Sequence, residues 1–342
     1  MIPAMHELSN ASLGEAVCRS LLADGSVVTI TATRRPRGGR ADIKCSAPGA
    51  PALAARMQEV ARLARHTEAR HDSRDQVVIS MDRAPGAQER DWELAVVLAD
   101  RAVRGLLPLA PHTLAVGWSG QWQRGRIDGH DARAVPAGAL CGGPQHLRHL
   151  GALTGQPDVS ASVSSARAWF PLHSGGINDS LCWVEVSVYP LDAGTAPEDD
   201  AIAVPGLDSA GQHAVRAALA GARHFDGEAA ARWRTTVRFG QDGLHGNSYE
   251  LALVLADRLA RGREFVPRGR IIASGCSSAW HAGQVDNVEG LAPKCALIER
   301  EAAPGDRVLL PRAWEAQLPP GLRDALVAKG ASLACVERIG II

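Results

Sequence analysis

The sequence predicts an α+β protein made of two similar lobes in tandem, and three observations predict it. First, one helix is written twice: DWELAVVLADRAVRG (91–105) and SYELALVLADRLARG (248–262) share ten of fifteen residues at a separation of 157 positions. Second, the segments on either side of that helix recur in the same order. Third, each half mixes period-two alternation with helical spacing, which suits helices packed on a mostly antiparallel or mixed sheet.

The first lobe opens on SVVTITATRRPRGGRADIKCSA (26–47), whose alternation around a glycine turn predicts a β-hairpin. Residues 50–69 follow, with Leu53, Met57, Val60 and Leu63 at helical spacing. Next come the strand VVIS (77–80), the polar loop PGAQER, the doubled helix, the strand TLAVG (113–117) and a short segment GRID (125–128). The second lobe repeats this order with a hairpin at 166–190 and a helix at 208–225 carrying Val215, Leu219 and Ala222. The strand TTVRF (235–239), the loop GQDGLHGN, the second helix copy, RIIASG (270–275) and GQVD (283–286) complete the match. Ser248 and Asp91 stand where helix N-caps belong.

The second lobe then continues with a helix from about Pro293, the strand RVLLP, a helix near 320–329 and a closing strand. Its proline in a first helical turn and glycines after helices obey backbone preferences. At the matching place the first lobe has only DGHDARAVPAGALCGGPQHLRHLG, so that copy is shortened. Small and polar residues over 151–165 place a linker there, giving lobes 1–157 and 158–342.

Composition bounds the function. A chain of 342 residues, 46% hydrophobic, can bury a core in each lobe. Its 37 basic and 37 acidic residues cancel, so no global field attracts nucleic acid or an anionic membrane. The basic stretch RRPRGGR (34–40) has no interleaved aromatics and reads as a solvated loop. No run of about 18 apolar residues offers a membrane span, and no charged-then-apolar leader opens the chain, so a cytoplasmic protein is expected. Seven scattered cysteines without CxxC spacing read as reduced thiols. Asp242 and Asp286 read as turn residues, and no metal or cofactor is expected.

The second lobe resembles the proteolytic domain of Lon proteases, a Ser-Lys peptidase domain of the ribosomal protein S5 domain 2-like fold. The residues that carry the likeness are DGLHGNS ahead of the helix, ASG (273–275), GQV (283–285), EGLAPK (289–294), PGDRVLLP and the final CVERI. It covers nearly all of 165–342 and the first lobe more faintly. The resemblance implies Ser248 as nucleophile and Lys294 as its base. It further implies an oxyanion site around Gly246, Asn247 and Ser248, Ser274 holding the lysine, and Glu185 of WVEV in support. His245, Tyr249 and Trp280 are the candidates for touching substrate.

The chemistry gives a reason for those two residue types. A serine hydroxyl needs a base to take its proton as it attacks, and lysine serves only when neutral, which desolvation favours. The chain has three lysines, Lys44, Lys294 and Lys329, against 34 arginines. Lysine at 294 keeps an amine that can lose its proton, as arginine cannot.

Two departures qualify the reading. Lon domains follow the serine with small residues, whereas Tyr249 and Glu250 stand here, echoed by Trp92 and Glu93, which implies a narrowed cleft. In the first lobe Asp91 replaces the nucleophile and Pro136 falls opposite Lys294, so that lobe reads as a degenerate copy. No GxxxxGK[ST] phosphate loop is present. The expected function is therefore ATP-independent hydrolysis of flexible or partner-presented polypeptide. The implied partners are a polypeptide substrate, a separate AAA+ ATPase or other protein, and further copies of the chain. The alternative is an inactive Lon-like scaffold or adaptor. A small-molecule kinase of the related fold is disfavoured because its glycine- and serine-rich phosphate loop is missing.

Overall fold

An Asp24-Gly25 turn starts the first ordered hairpin of the computed structural model, which describes residues 14–36, 42–68, 75–173, 175, 179–191, 201–228, 232–241, 244, 246–262 and 268–341. The chain forms two units, residues 1–161 and 162–342. The division falls four residues beyond the expected linker point because the segment after 157 still packs on the first unit, Val159 lying against Gly125.

In unit one, β1 (Glu15–Leu21) and β2 (Val27–Pro36) pair antiparallel. Gly25 takes φ +83° in the turn, which glycine tolerates without cost from a side chain. Along β2, Val28, Ile30 and Ala32 are buried while Thr29, Thr31 and Thr33 are half-exposed, the alternation that a one-sided sheet requires. There follow β3 (Ile43–Ser46), α1 (Pro51–Ala64), β4 (Asp75–Met81), α2 (Trp92–Val103), β5 (Ala115–Val116) and β6 (Leu140–Cys141). The sheet order is β1-β2-β4-β3, with β3 parallel to β4.

Two expectations are corrected here. The hairpin is 15–36, not 26–47: β2 lies between β1 and β4, and β3 crosses to the far edge. Alternation identifies strands, but the Asp-Gly turn decides which neighbours pair. The helix of 50–69 ends at Ala64 and tightens into a 3-10 turn, Arg65–Thr67, where Arg65 turns inward to Asp42 and Asp100.

Unit two runs β7 (Ser164–Leu172), β8 (Ser180–Pro190), β9 (Ile202–Ala203), α3 (Ser209–Phe225), β10 (Trp233–Phe239), α4 (Glu250–Ala260) and β11 (Ile271–Ala273). It continues with α5 (Leu291–Glu301), β12 (Arg307–Pro311), α6 (Leu322–Ala328) and β13 (Ser332–Val336). The order β13-β12-β11-β7-β8-β10-β9 contains β7-β8-β10-β9, which matches β1-β2-β4-β3 in order and direction. Apolar residues cover both faces. Phe170, Val184 and Val186 meet α3 and α4 on one side. Ile272, Val308 and Leu310 meet α5 and α6 on the other.

The two units also repeat a polar framework. Arg65 meets Asp100 at 2.5 Å and Arg223 meets Asp257 at 2.5 Å, all four side chains buried. Arg104 and Arg261 reach the same two aspartates from one turn on. Burial works against charge on Asp100, yet Arg104 and Arg65 hold its carboxyl well below the ordinary range. Glu93 accepts from the Trp122 indole (2.7 Å) and the Ser119 amide (3.3 Å); Glu250 accepts from the Trp280 indole (2.9 Å) and the Ser277 amide (3.2 Å). These matches hold long-range geometry that helix propensity alone does not dictate.

The units part company after that framework. The carboxylates of Asp128 and Asp286, 158 positions apart, each accept from a backbone amide at the matching turn. Leu140 and Leu309, 169 positions apart, occupy matching registers on β6 and β12. The second unit thus holds eleven more residues between these points, the length of α5. Pro136 is therefore not the counterpart of Lys294. The helix that carries the lysine has none in unit one.

Candidate functional site

The loop entering α4 supplies the first half of the site. Gly246 takes φ +77° with open space around it, and Gly246 and Asn247 are exposed while Ser248 is half-buried. The helix begins at Glu250, one residue later than its sequence pattern suggested, and neither Ser248 nor the N-cap Tyr249 caps it through a side chain. Instead the Ser248 carbonyl accepts from Gly275 N–H (3.2 Å), and Gly275 O accepts from Leu251 N–H (3.0 Å), which pins the loop to the end of β11. Among the described residues, neither the Ser248 hydroxyl nor the amide N–H groups of Asn247 and Ser248 make a hydrogen bond.

The helix α5 supplies the second half. It starts at Leu291 rather than near Pro293, after Gly290 at φ +80°. Lys294, one turn in, is 6% exposed, and its amine makes no hydrogen bond or ion pair among the described residues. Burial pulls its amine below the ordinary lysine range, opposed by the neighbouring Cys276 and Glu289. Cys276 links the halves: its thiol donates to Asn287 O (3.2 Å), lies in hydrogen-bonding reach of Asn247, and feels the Lys294 charge. Burial, with Glu250 and Asp286, pushes that thiol up to about 11, so it stays protonated and is a poor nucleophile.

Gly275 thus holds the Ser248 carbonyl, and Cys276 lies between Asn247 and the field of Lys294; among the described residues Ser248 and Lys294 share no hydrogen bond. The other expected members stand as follows. The Ser274 hydroxyl, expected to hold the lysine, is fully buried and has no partner. Glu185 meets Arg167 (2.8 Å) and Arg238 (3.8 Å) on β8. It lies four residues, about 13 Å of strand, beyond Leu181, which packs in the α5 cluster. Tyr249 does not narrow a cleft: it is buried between Phe170 and Phe239, at ring separations of 6.1 and 5.2 Å. Burial pushes its hydroxyl up to about 12, with Glu250 and Asp208 adding to the shift. Trp280 is buried too, its indole spent on Glu250. Asp286 serves as a turn acceptor for Ser278, while His245 and Asp242 lie outside the described residues.

One site residue was missed in the sequence. His173, at the end of β7, bonds Asp179 through Nδ1 (2.7 Å), and its Cδ2 lies 3.7 Å from where a Gly290 Cβ would stand, as the Lys294 Cε does at 3.6 Å. A histidine and an aspartate closing the two ends of one hairpin were the available signal.

Unit one fills the corresponding place. Asp91 stands at the N-cap of α2 without capping it through its side chain; its buried carboxylate accepts from the amides of Asp131 (2.9 Å) and Ala132 (2.7 Å). Burial raises that carboxyl despite these two donors. The Asp91 amide donates to Glu89 (3.3 Å), which also accepts from Ala23 N–H (2.9 Å). Val116 stands where unit two has Ser274.

Chemically, unit two offers a hydroxyl, two free amides at a helix entrance and a buried amine whose pKa burial draws down. No group of three His, Cys, Asp or Glu among the described residues could hold a metal ion, and no described helix is long and apolar enough to cross a membrane. Compared with known proteins, the chain matches no family model and no curated protein.

Proposed function

We propose that unit two is a Lon-like serine peptidase domain that hydrolyses peptide bonds in flexible or partner-presented polypeptide without ATP, and that unit one is its degenerate scaffold copy. One observation carries the reading. In two matching frameworks, the Asp91 carboxylate and amide are engaged internally, while among the described residues the Ser248 hydroxyl and amide make no hydrogen bond, and the following α5 carries a buried lysine that unit one lacks.

In this mechanism neutral Lys294 takes the Ser248 proton as Oγ attacks the peptide carbonyl. The amides of Asn247 and Ser248 bind the oxyanion. The protonated amine then passes its proton to the leaving nitrogen, and water repeats the sequence on the acyl-enzyme. Catalytic hydrogen bonds often tighten only when substrate is seated. The buried Ser274 hydroxyl, lacking a partner, offers an acceptor to the amine as it swings toward Ser248.

Hydrolysis of internally quenched peptides tests this: Ser248→Ala and Lys294→Met should each lose at least about a thousandfold in rate. Because burial lowers the lysine pKa, the rate should climb with pH and level off below the ordinary lysine value of about 10.4. The His173–Asp179 pair motivates a second reading, with imidazole as the base. It predicts loss in His173→Gln and survival in Lys294→Met, the reverse of the proposal. An inactive adaptor predicts no hydrolysis by any form.

A further inference from the structure

A second opening lies beside α4, on the side of Glu250. Its Oε2 accepts from the Trp280 indole and the Ser277 amide, as the Glu93 Oε2 does from the Trp122 indole and the Ser119 amide. The other oxygens differ. Glu93 Oε1 receives Arg56 Nη2 at 3.1 Å and Arg90 Nε at 2.8 Å. Glu250 Oε1 receives nothing among the described residues, although the residue is only 8% exposed.

The missing cations have identifiable positions. Arg65 and Arg223, and with them Met57 and Val215, match at a separation of 158, which puts Ala214 opposite Arg56. Asn247 stands opposite Arg90. Where the Arg56 side chain lies in unit one, unit two has a cavity of about 220 Å³ lined by Ala214, Ala217, Gly221, Ser277, Trp280 and the Glu250 carboxylate. That is about seven times the roughly 30 Å³ one water occupies in the liquid, room for a guanidinium and its methylene stem. His281, exposed at the rim, makes no ion pair with Glu250 among the described residues.

We propose that this cavity is a binding site for a guanidinium group, the chemistry shared by an arginine side chain of a polypeptide and by free arginine. The planar fork would lie against Glu250 Oε1 as Arg56 lies against Glu93, with the stem along the alanine and glycine face of α3. Burial raises the Glu250 carboxyl above its ordinary range, which is the condition a bound cation would relieve.

Calorimetric titration of the full chain tests it with Nα-acetyl-arginine amide, the uncharged citrulline analogue, and a short peptide with arginine in its middle. The arginine amide should bind saturably, the citrulline compound at least about tenfold more weakly. Glu250→Gln and Ala214→Arg should each weaken arginine binding by a similar factor, the latter by filling the cavity from within. Ala214→Arg should also raise the melting temperature, which shows that it folds. No saturable binding, equal binding of citrulline, or undiminished binding to Ala214→Arg would overturn the proposal. The peptide arm upholds the site either way: tighter binding than the amide assigns the guanidinium to polypeptide, equal binding to a free small molecule. Ser248→Ala should bind arginine amide like the wild type, so this outcome is read independently of hydrolysis.

Discussion

At the head of α2 the first unit engages Asp91 and Glu93 with its own groups. Asp91 takes two loop amides, Glu89 takes the Asp91 amide, and Arg56 and Arg90 take Glu93. At the head of α4, in the same framework, a serine hydroxyl, two amides and one carboxylate oxygen are left without partners among the described residues. The comparison teaches that one framework closes or leaves open its polar groups according to a few side chains and one helix. Unit one spends these positions on internal hydrogen bonds, whereas in unit two the same positions stay available to a partner from outside.

The largest expected effect breaks the comparison outright. Asp91→Ser puts the nucleophile type into unit one, yet with no α5 and no lysine it should add no measurable hydrolysis to a Ser248→Ala background, leaving the loss of at least about a thousandfold uncorrected. Recovery of activity would show that the eleven-residue difference is not what separates the units.

The next effect sharpens the correspondence. Arg65→Ala and Arg223→Ala each strip a buried aspartate of one guanidinium, and each should cost about 3 kcal/mol or more in urea unfolding. The Asp100 carboxyl titrates lower folded than unfolded, so its contribution is complete above about pH 4 and disappears as pH falls further. A large loss for one arginine and none for the other would sink the matched framework.

A smaller effect should carry opposite signs in the two units. Glu93→Gln leaves Arg56 and Arg90 without their carboxylate and should destabilise by about 1–3 kcal/mol. Glu250→Gln removes a buried charge with no cation and should be neutral or stabilising. The Glu250 carboxyl holds its proton more tightly folded than unfolded, so stability falls as pH rises from about 4.3 through its raised value. The gain from Glu250→Gln should accordingly be full only above that window, as thermal unfolding across pH would show.

Much of this frame was legible in the sequence. The repeated ELA-VLADR core predicted two matching helices, although not that both would be buried on nearly every side. The shortened first copy was visible as missing residues, and Lys294 stood out in a chain that writes its other basic residues almost wholly as arginine. Strand partners were less legible: alternation marked β2 and β3 but not that β1 and β4 flank β2. Side-chain direction was not legible at all. Tyr249 and Trp280 looked like cleft residues from their neighbours in sequence, yet aromatic packing and the Glu250 acceptor turn both inward. Glu185 kept its strand but was taken by two arginines, and His173 could only be placed once Gly290 gave it a neighbour.

The central claim, that nucleophilic chemistry resides at Ser248 of unit two and depends on Lys294, is tested most directly by a fluorophosphonate probe followed by mass mapping of the adduct. The account predicts one adduct, on Ser248, that disappears in Lys294→Met while Asp91→Ser adds no second one. Labelling elsewhere, or an undiminished Ser248 adduct without the lysine, would contradict it.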